Sequence, residues 1–184
     1  MTIKFGTDGW RGIIADDFTF DNVRACAQGT SNYLLQKGLG KYGLVVGYDT
    51  RFGSAAFARS VAEVAAGNGL TTYLSMAPAP TPVMSYNIVA RRAGGAAIIT
   101  ASHNPAEWNG LKPFDAAGRV FNAESGAKLI DAIASLEGEF TREVSGVVEL
   151  IDSPGTGHRD TVMGIVDVQA IRDRRPKVVL DCNH

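Results

Sequence analysis

Three short runs, Leu44-Val45-Val46-Gly47-Tyr48, Leu70 to Ser75 and Gly95-Ala96-Ala97-Ile98-Ile99-Thr100, contain no charged residue. A strand that is apolar along its length has no face to give to water, so it belongs in a sheet covered on both sides. The segments between these runs have helical spacing. From Thr19 to Gly38 the apolar stripe is Val23, Cys26, Ala27, Thr30 and Leu34, with Thr19 as the expected cap and Gly38 as the stop. A second helix is expected from a Ser54 cap, through Phe57, Val61, Val64 and Ala65, to Gly67-Asn68-Gly69. Ala77-Pro78-Ala79-Pro80 must be extended, because proline restricts the residue before it. Thr81-Pro82, read as a cap followed by proline at the first helical position, opens a third helix to about Arg92. Strand, helix, strand, helix, strand with short joints predicts an α/β fold with a mainly parallel sheet.

Further on, Asn109-Gly110 and Ala117-Gly118 predict turns bracketing short strands at Leu111–Phe114 and Arg119–Phe121. Asn122 is the expected cap of a last helix with stripe Ala127, Ile130, Ile133 and Ala134. Residues 138–175 read as a connector leaving the domain, with Val147–Ile151 and Val162–Val168 as extended or helical pieces. Pro176 to Asp181 predicts a fresh buried strand that opens another α/β unit. The chain stops three residues later at His184, so the expectation is a truncated protein.

Composition removes several classes of function. Among 184 residues, 18 basic and 19 acidic side chains leave a formal net charge of −1, and neither end carries a charge tail. Electrostatic binding to nucleic acid or an anionic membrane surface therefore has no support. No apolar run reaches the roughly 20 residues of a membrane span, and the first residues lack the apolar stretch of a signal peptide. Cys26 and Cys182 are far apart and form no CxxC, which predicts a reducing cytoplasm. Cys26, on its helix's apolar stripe, reads as a core residue.

In a doubly wound sheet ligands bind beyond the carboxyl ends of the strands. Three Gly- or polar-rich clusters fall in or near such places: Gly6 to Gly12, Asp49 to Ser54, and Thr100-Ala101-Ser102-His103-Asn104-Pro105. The last is delivered by a buried strand, and its Ser, His and Asn side chains can donate to an anionic oxygen. Lys112, expected to point back across the Asn109-Gly110 turn, can act as acid or base. Arg11 offers a fixed fork suited to phosphate. Together these side chains favour phosphoryl chemistry over acyl transfer.

Competing motifs fail. Gly38-Leu39-Gly40-Lys41-Tyr42-Gly43 matches G-x-G-x-x-G but follows a helix and precedes a strand, the reverse of the dinucleotide-binding context. There is no Walker A lysine, no G-x-S-x-G elbow and no zinc spacing. A serine hydrolase needs a histidine facing its serine, and adjacent residues in an extended chain point apart, so His103 is not expected to face Ser102.

Phe5-Gly6-Thr7-Asp8-Gly9-Trp10-Arg11-Gly12, Gly47-Tyr48-Asp49-Thr50-Arg51, Pro80-Thr81-Pro82, Thr100-Ala101-Ser102-His103-Asn104-Pro105 and Asn109-Gly110-Leu111-Lys112, in that order, resemble the α-D-phosphohexomutases. That family includes phosphoglucomutases, phosphomannomutases and phosphoglucosamine mutases. The resemblance covers about residues 3–137 and implies the family's first domain, a three-layer α/β/α unit with a mainly parallel mixed sheet. It implies a domain of residues 1–140, a connector over 141–175, and the truncated first strand of a second α/β domain at 176–184.

By position, the resemblance implies that Ser102 carries the phosphoryl group and that its phosphoryl oxygen is one ligand of a catalytic Mg²⁺. It implies that Lys112 is a general acid/base, that Arg11 belongs to the phosphoryl-transfer site, and that His103 helps to position the serine. Hexose 1-phosphate and hexose 6-phosphate would interconvert through a 1,6-bisphosphate. The family's Asp-rich metal loop, sugar-recognition loop and phosphate-binding loop, carried by its domains II–IV, have no counterpart here. The chain alone is therefore expected to be inactive. A different class, a non-catalytic module that binds a phosphosugar or a partner, would be expected to cover or dispense with Val178–Leu180. Pro113, where the family more often continues I-K-F, is a departure expected to disturb the edge of its strand.

Overall fold

The computed structural model describes residues 3, 5, 6, 9–136 and 146–181. Thr7, Asp8, Cys182 and His184, and the boundary expected at residue 140, lie outside them. Six strands form one sheet: β1 (Trp10–Ile13), β2 (Leu44–Tyr48), β3 (Thr72–Ser75), β4 (Gly95–Ile99), β5 (Trp108–Asp115) and β6 (Val148–Ile151), in the order β1-β5-β4-β2-β3-β6. The pairs β2–β4, β2–β3 and β3–β6 are parallel, while β5 runs antiparallel to both β4 and β1. The sheet is thus mixed and mainly parallel, as expected, and β2 and β4 are buried at every position.

Helices cover both faces. On one, α1 (Phe20–Gln36), α2 (Ser54–Gly67) and α4 (Ala123–Ala134) close over a core containing Phe18, Val23, Leu34, Val46, Val61, Ile99 and Leu129. On the other, α3 (Thr81–Arg91) packs Val83, Met84 and Ile88 against Val45, Ile98 and Phe114. The helices lie so close that glycine is needed where they touch. A Cβ on Gly29 of α1 would stand 2.4 Å from Ile133 of α4, and one on Gly47 of β2 only 2.1 Å from the Met84 sulfur.

Local signals set most helix ends. The Thr19 hydroxyl oxygen accepts from the Asn22 amide at 3.3 Å and starts α1, and Gly38 follows its last turn at φ +67°. The Asn122 side chain accepts from the Ser125 amide at 2.8 Å and starts α4. Two expected caps lie one residue off. Gly53, at φ +73°, caps α2, and Ser54 is the first helical residue because its hydroxyl is turned to Asp49. Pro80 caps α3, so Pro82 is the second helical residue, where its missing N–H still costs nothing.

Four further expectations are corrected. Asn109-Gly110 is not a turn; it lies inside β5, paired with Gly12 and Arg11 of β1. The partner strand at Arg119–Phe121 shrinks to a single bridge, Phe114 to Val120, closed by the turn at Gly118. The buried stripe of α4 is Leu129, Ala132 and Ile133, whereas Ala127 and Ala134 are exposed. Pro113 leaves the β4–β5 register unbroken from Gly95↔Asp115 to Ile99↔Leu111. Its carbonyl accepts from Phe121, so the face lacking an N–H points away from β4.

The stretch read as a connector lends the sheet its sixth strand, β6, and then forms α5 (Thr156–Ile165) and α6 (Val168–Arg174). Residues 176–181 take no strand pairing, and Val178, Val179 and Leu180 are 77–95% exposed rather than buried. Gly40–Tyr42 is a single 3-10 turn between α1 and β2, the wrong setting for a dinucleotide loop. No described helix is long and apolar enough to cross a membrane. Cys26 is buried, and burial pushes its thiol pKa up.

Candidate functional site

After β2 the chain crosses one face through α2 to β3. After β3 it crosses the other face through α3 and returns to β4, on the far side of β2. The connections therefore part between β2 and β4, which makes their carboxyl ends the topological switch point, where a crevice is expected. A cleft of about 480 Å³ opens there, lined by residues 49–51 after β2, residues 79–81 leading into α3, and Ile98, Thr100, Ser102, Asn104 and Ala106 at and beyond the end of β4. The extended proline segment is held as its wall by the Ala79 amide, which donates to the Tyr48 carbonyl at 2.9 Å.

Ser102 is exposed and sits at φ +57°, in the left-handed region. A residue with a Cβ held there carries about 1–3 kcal/mol of strain, and such strain persists only where the surroundings fix it. Here they do: the Ser102 amide donates to Thr100 Oγ1 at 3.0 Å, and the Ser102 carbonyl accepts from Arg51 Nη2 at 2.8 Å. This conformation also overturns the expectation that Ser102 and His103 point apart. The chain is turned rather than extended, and Ser102 Oγ lies 3.3 Å from His103 Nδ1. No described carboxylate bonds His103, so the third member of a hydrolytic triad is lacking.

Arg11 reaches the loop from β1. Its strand neighbour across the ladder is Gly110, and a Cβ there would stand 2.6 Å from the Thr100 carbonyl oxygen and 3.0 Å from Arg11 Cγ. The bare backbone at Gly110 thus leaves room for the arginine stem to cross β5, and Arg11 Nη1 donates to Asn104 Oδ1 at 2.8 Å. Lys112 lies on β5 opposite Ile98, a residue of the cleft wall, with Nζ 5.8 Å from the centre of the Phe114 ring. The fold so brings Ser102, His103 and Arg11 to one loop and leaves Lys112 beside it on the same strand ladder.

One residue stands out that sequence reasoning gave no role. Arg51 Nη1 donates to the carbonyls of Pro105 and Trp108 at 2.7 and 3.0 Å, and Nη2 to those of Ser102 and Asn104 at 2.8 and 2.5 Å. Its Nε faces Asp49 Oδ2 at 3.4 Å. Its sequence signals were its place in the Gly47–Arg51 motif of the resemblance, which assigned it no role, and an Asp-Thr-Arg run before a helix start, which a local ion pair explains equally well.

The basic groups make the loop suited to an anion and poor for a bare cation. Among the described residues no three His, Cys, Asp or Glu side chains gather where they could hold a metal. Asp49, the acid of the cleft, already accepts from the Arg51 amide and the Ser54 hydroxyl. Hard divalent ions need several oxygen ligands, so these residues by themselves do not fit the Mg²⁺ that the resemblance implies.

Comparison with known proteins agrees with this fold. Residues 2–139 match the family described as phosphoglucomutase/phosphomannomutase, alpha/beta/alpha domain I. A phosphoglucomutase of Staphylococcus saprophyticus is 33% identical over 73% of this chain and 25% of its own length. A phosphoglucosamine mutase of Thermoanaerobacter pseudethanolicus is 32% identical over 99% of this chain and 40% of its own. A crystal structure from Thermus thermophilus assigned as a phosphomannomutase superposes with a TM-score of 0.84 at 35% identity, covering 93% of this chain and 38% of that one. The chain thus spans between a quarter and two fifths of the length of these relatives. With a mixed sheet, helices on both faces and a match over residues 2–139, the chain belongs to the phosphoglucomutase/phosphomannomutase family, as its α/β/α domain I.

Proposed function

We propose that this chain is the serine-bearing part of a phosphohexomutase, an enzyme that interconverts hexose 1-phosphate and hexose 6-phosphate. The observation that carries the reading is Ser102: an exposed hydroxyl on a strained, doubly tethered residue at the switch point, with guanidinium groups on both sides of its loop. In the proposed cycle the phosphoryl group on Ser102 passes to the free hydroxyl of a hexose monophosphate. The serine–phosphorus bond breaks, the hydroxyl's proton leaves to a base, and a 1,6-bisphosphate results. The other phosphoryl group then returns to the serine oxygen. Arg11 neutralises the transferring group, His103 holds the hydroxyl, and Lys112 moves the proton.

Residues 1–140 would be the serine-bearing domain, 141–175 would lead out of it while lending it β6, and 176–184 would open a second α/β unit. A Mg²⁺ would take one ligand from the Ser102 phosphoryl oxygen and the rest from outside the described residues. On this reading the 184-residue chain alone has no mutase turnover, its substrate is a cytoplasmic phosphosugar, and its partners are the remaining domains II–IV.

The test is phosphoryl loading. Incubation with glucose 1,6-bisphosphate and Mg²⁺, in the presence of the remaining domains, should place one phosphoryl group on the peptide containing Ser102, and none on Ser102→Ala. Robust conversion of glucose 1-phosphate by the pure 184-residue chain, abolished by Ser102→Ala, would overturn the predicted inactivity. Conversion that survived Ser102→Ala in the intact mutase would overturn the phosphoserine itself.

A further inference from the structure

The loop that carries Ser102 has no regular secondary structure, yet its serine is held in one uncommon conformation. We propose that Arg51 is the positioning residue that fixes it, as the last link of a hydrogen-bonded relay running from β5 to the loop. This rests on the reading of Ser102 as the phosphoryl acceptor.

The donors of Arg51 are committed. Three of its N–H bonds reach loop carbonyls, a fourth reaches the Trp108 carbonyl at the start of β5, and Nε faces Asp49, so the guanidinium works on the backbone of the loop and its exit rather than on a substrate. One of those carbonyls belongs to Ser102 itself. With Thr100 Oγ1 holding the Ser102 amide, both peptide planes flanking the serine are tied, and the left-handed φ has nowhere to relax. Arg51 is itself placed from behind. Asp49 Oδ1 accepts from the Arg51 amide at 3.0 Å and from Ser54 Oγ at 2.9 Å. Ser54 Oγ accepts in turn from Asn109 Nδ2 at 2.9 Å, and both Asn109 and Ser54 are at most 1% exposed. The relay Asn109–Ser54–Asp49–Arg51 therefore joins β5, the start of α2 and the end of β2 to the loop. A planar fork can serve four carbonyls at once; the compact ammonium of lysine cannot.

The experiment compares Arg51→Lys, Ser54→Ala and Ser102→Ala in the intact mutase as the cell makes it. Misplacing a reacting group by about 1 Å costs on the order of 10²-fold in rate. Arg51→Lys should lower kcat by roughly 10–100-fold with KM within about twofold. Amides of residues 102–108 should exchange faster, while β2 and β4 keep their protection. Ser54→Ala, a smaller change should the first variant fold poorly, should show the same split at lower amplitude. If Ser102→Ala abolishes turnover while Arg51→Lys and Ser54→Ala leave kcat unchanged, the positioning role is refuted and the phosphoserine reading stands. If kcat falls only in step with KM and with lost protection across β2 and β4, the relay is merely structural and the proposal is equally refuted. If Ser102→Ala retains turnover, the functional reading fails and this inference falls with it.

Discussion

Replacing Asn109 by Asp changes one atom's hydrogen-bonding sense and almost nothing of its shape, which makes it a sharp probe of the buried polar joint behind the site. Asn109 is fully buried. Its Nδ2 donates to Ser54 Oγ at 2.9 Å and to the Phe52 carbonyl at 3.3 Å, while Oδ1 accepts from the Gly110 amide. In Asn109→Asp the last bond survives and the first two do not, because an acceptor then faces two oxygens. Ser54 cannot rescue both sides; its one proton already goes to Asp49. Two neutral bonds are worth about 2 kcal/mol, and burying the new anion without a hydrogen-bonded cation raises the total to about 3–5 kcal/mol. For a chain of this size that is a fall in Tm of roughly 6–20 °C.

The sign with pH follows from the same geometry. Two facing oxygens and burial raise the folded-state pKa of the new carboxyl above its unfolded value of about 4. The native state then holds the proton more tightly, so the deficit relative to wild type is small below about pH 4. It grows as the pH rises through that value and is flat once the folded-state carboxyl has ionised. Urea unfolding of variant and wild type, followed by far-UV circular dichroism at about pH 8 and about pH 4, measures it. A loss below about 1 kcal/mol at the higher pH, or the same loss at both, would refute the donor–acceptor argument.

Gly47→Ala should cost about 1–3 kcal/mol by calorimetry, since its Cβ would stand 2.1 Å from the Met84 sulfur. Combined with Met84→Ala it should cost less than the sum of the two single changes. The Lys128 ammonium, hydrogen-bonded to Glu124, holds that carboxyl below its ordinary value. NMR titration should show the Glu124 pKa rising in Lys128→Gln. The pair's contribution, present above the ordinary carboxylate value, should fade as the pH falls through the depressed one. Cys26, with its thiol pushed up by burial, should resist alkylation in the native protein at mildly alkaline pH and react once denaturant is added, as peptide mapping will show.

The parts of the fold visible in the sequence are those whose cause is local. An apolar run at Gly95–Ile99 has to be buried, and a stripe through Val23, Cys26 and Leu34 has to face a core. The loop carrying Ser102 could be picked out as a motif, but its geometry could not. Asn109-Gly110 has the chemistry of a turn, and tertiary demands overrode it: glycine is there because two carbonyls and an arginine stem pass close by, asparagine because Ser54 and Phe52 need a donor. The work of Arg51 was hidden for a similar reason, since its partners are backbone carbonyls 51 to 57 positions away and carbonyls have no sequence signature. Val147–Ile151 was legible as an extended or helical piece, but its place in the sheet was not, because a four-residue edge strand with two exposed positions resembles any polar connector.

The pairing of β1 with β5 carries a consequence for the order in which the molecule is made. Trp10 is paired with Leu111, so β1 has no ladder partner until about a hundred further residues have followed it. At usual rates of synthesis that interval is about 5–20 s. The parallel pair β2–β3, by contrast, joins Leu44 to Thr72, and β4 completes that trio before β5 exists. Closing a loop that long before any contact repays it is slow, so β1 docks after the β2–β3–β4 trio. Arg11 then reaches the serine loop only once that trio and β5 are in place.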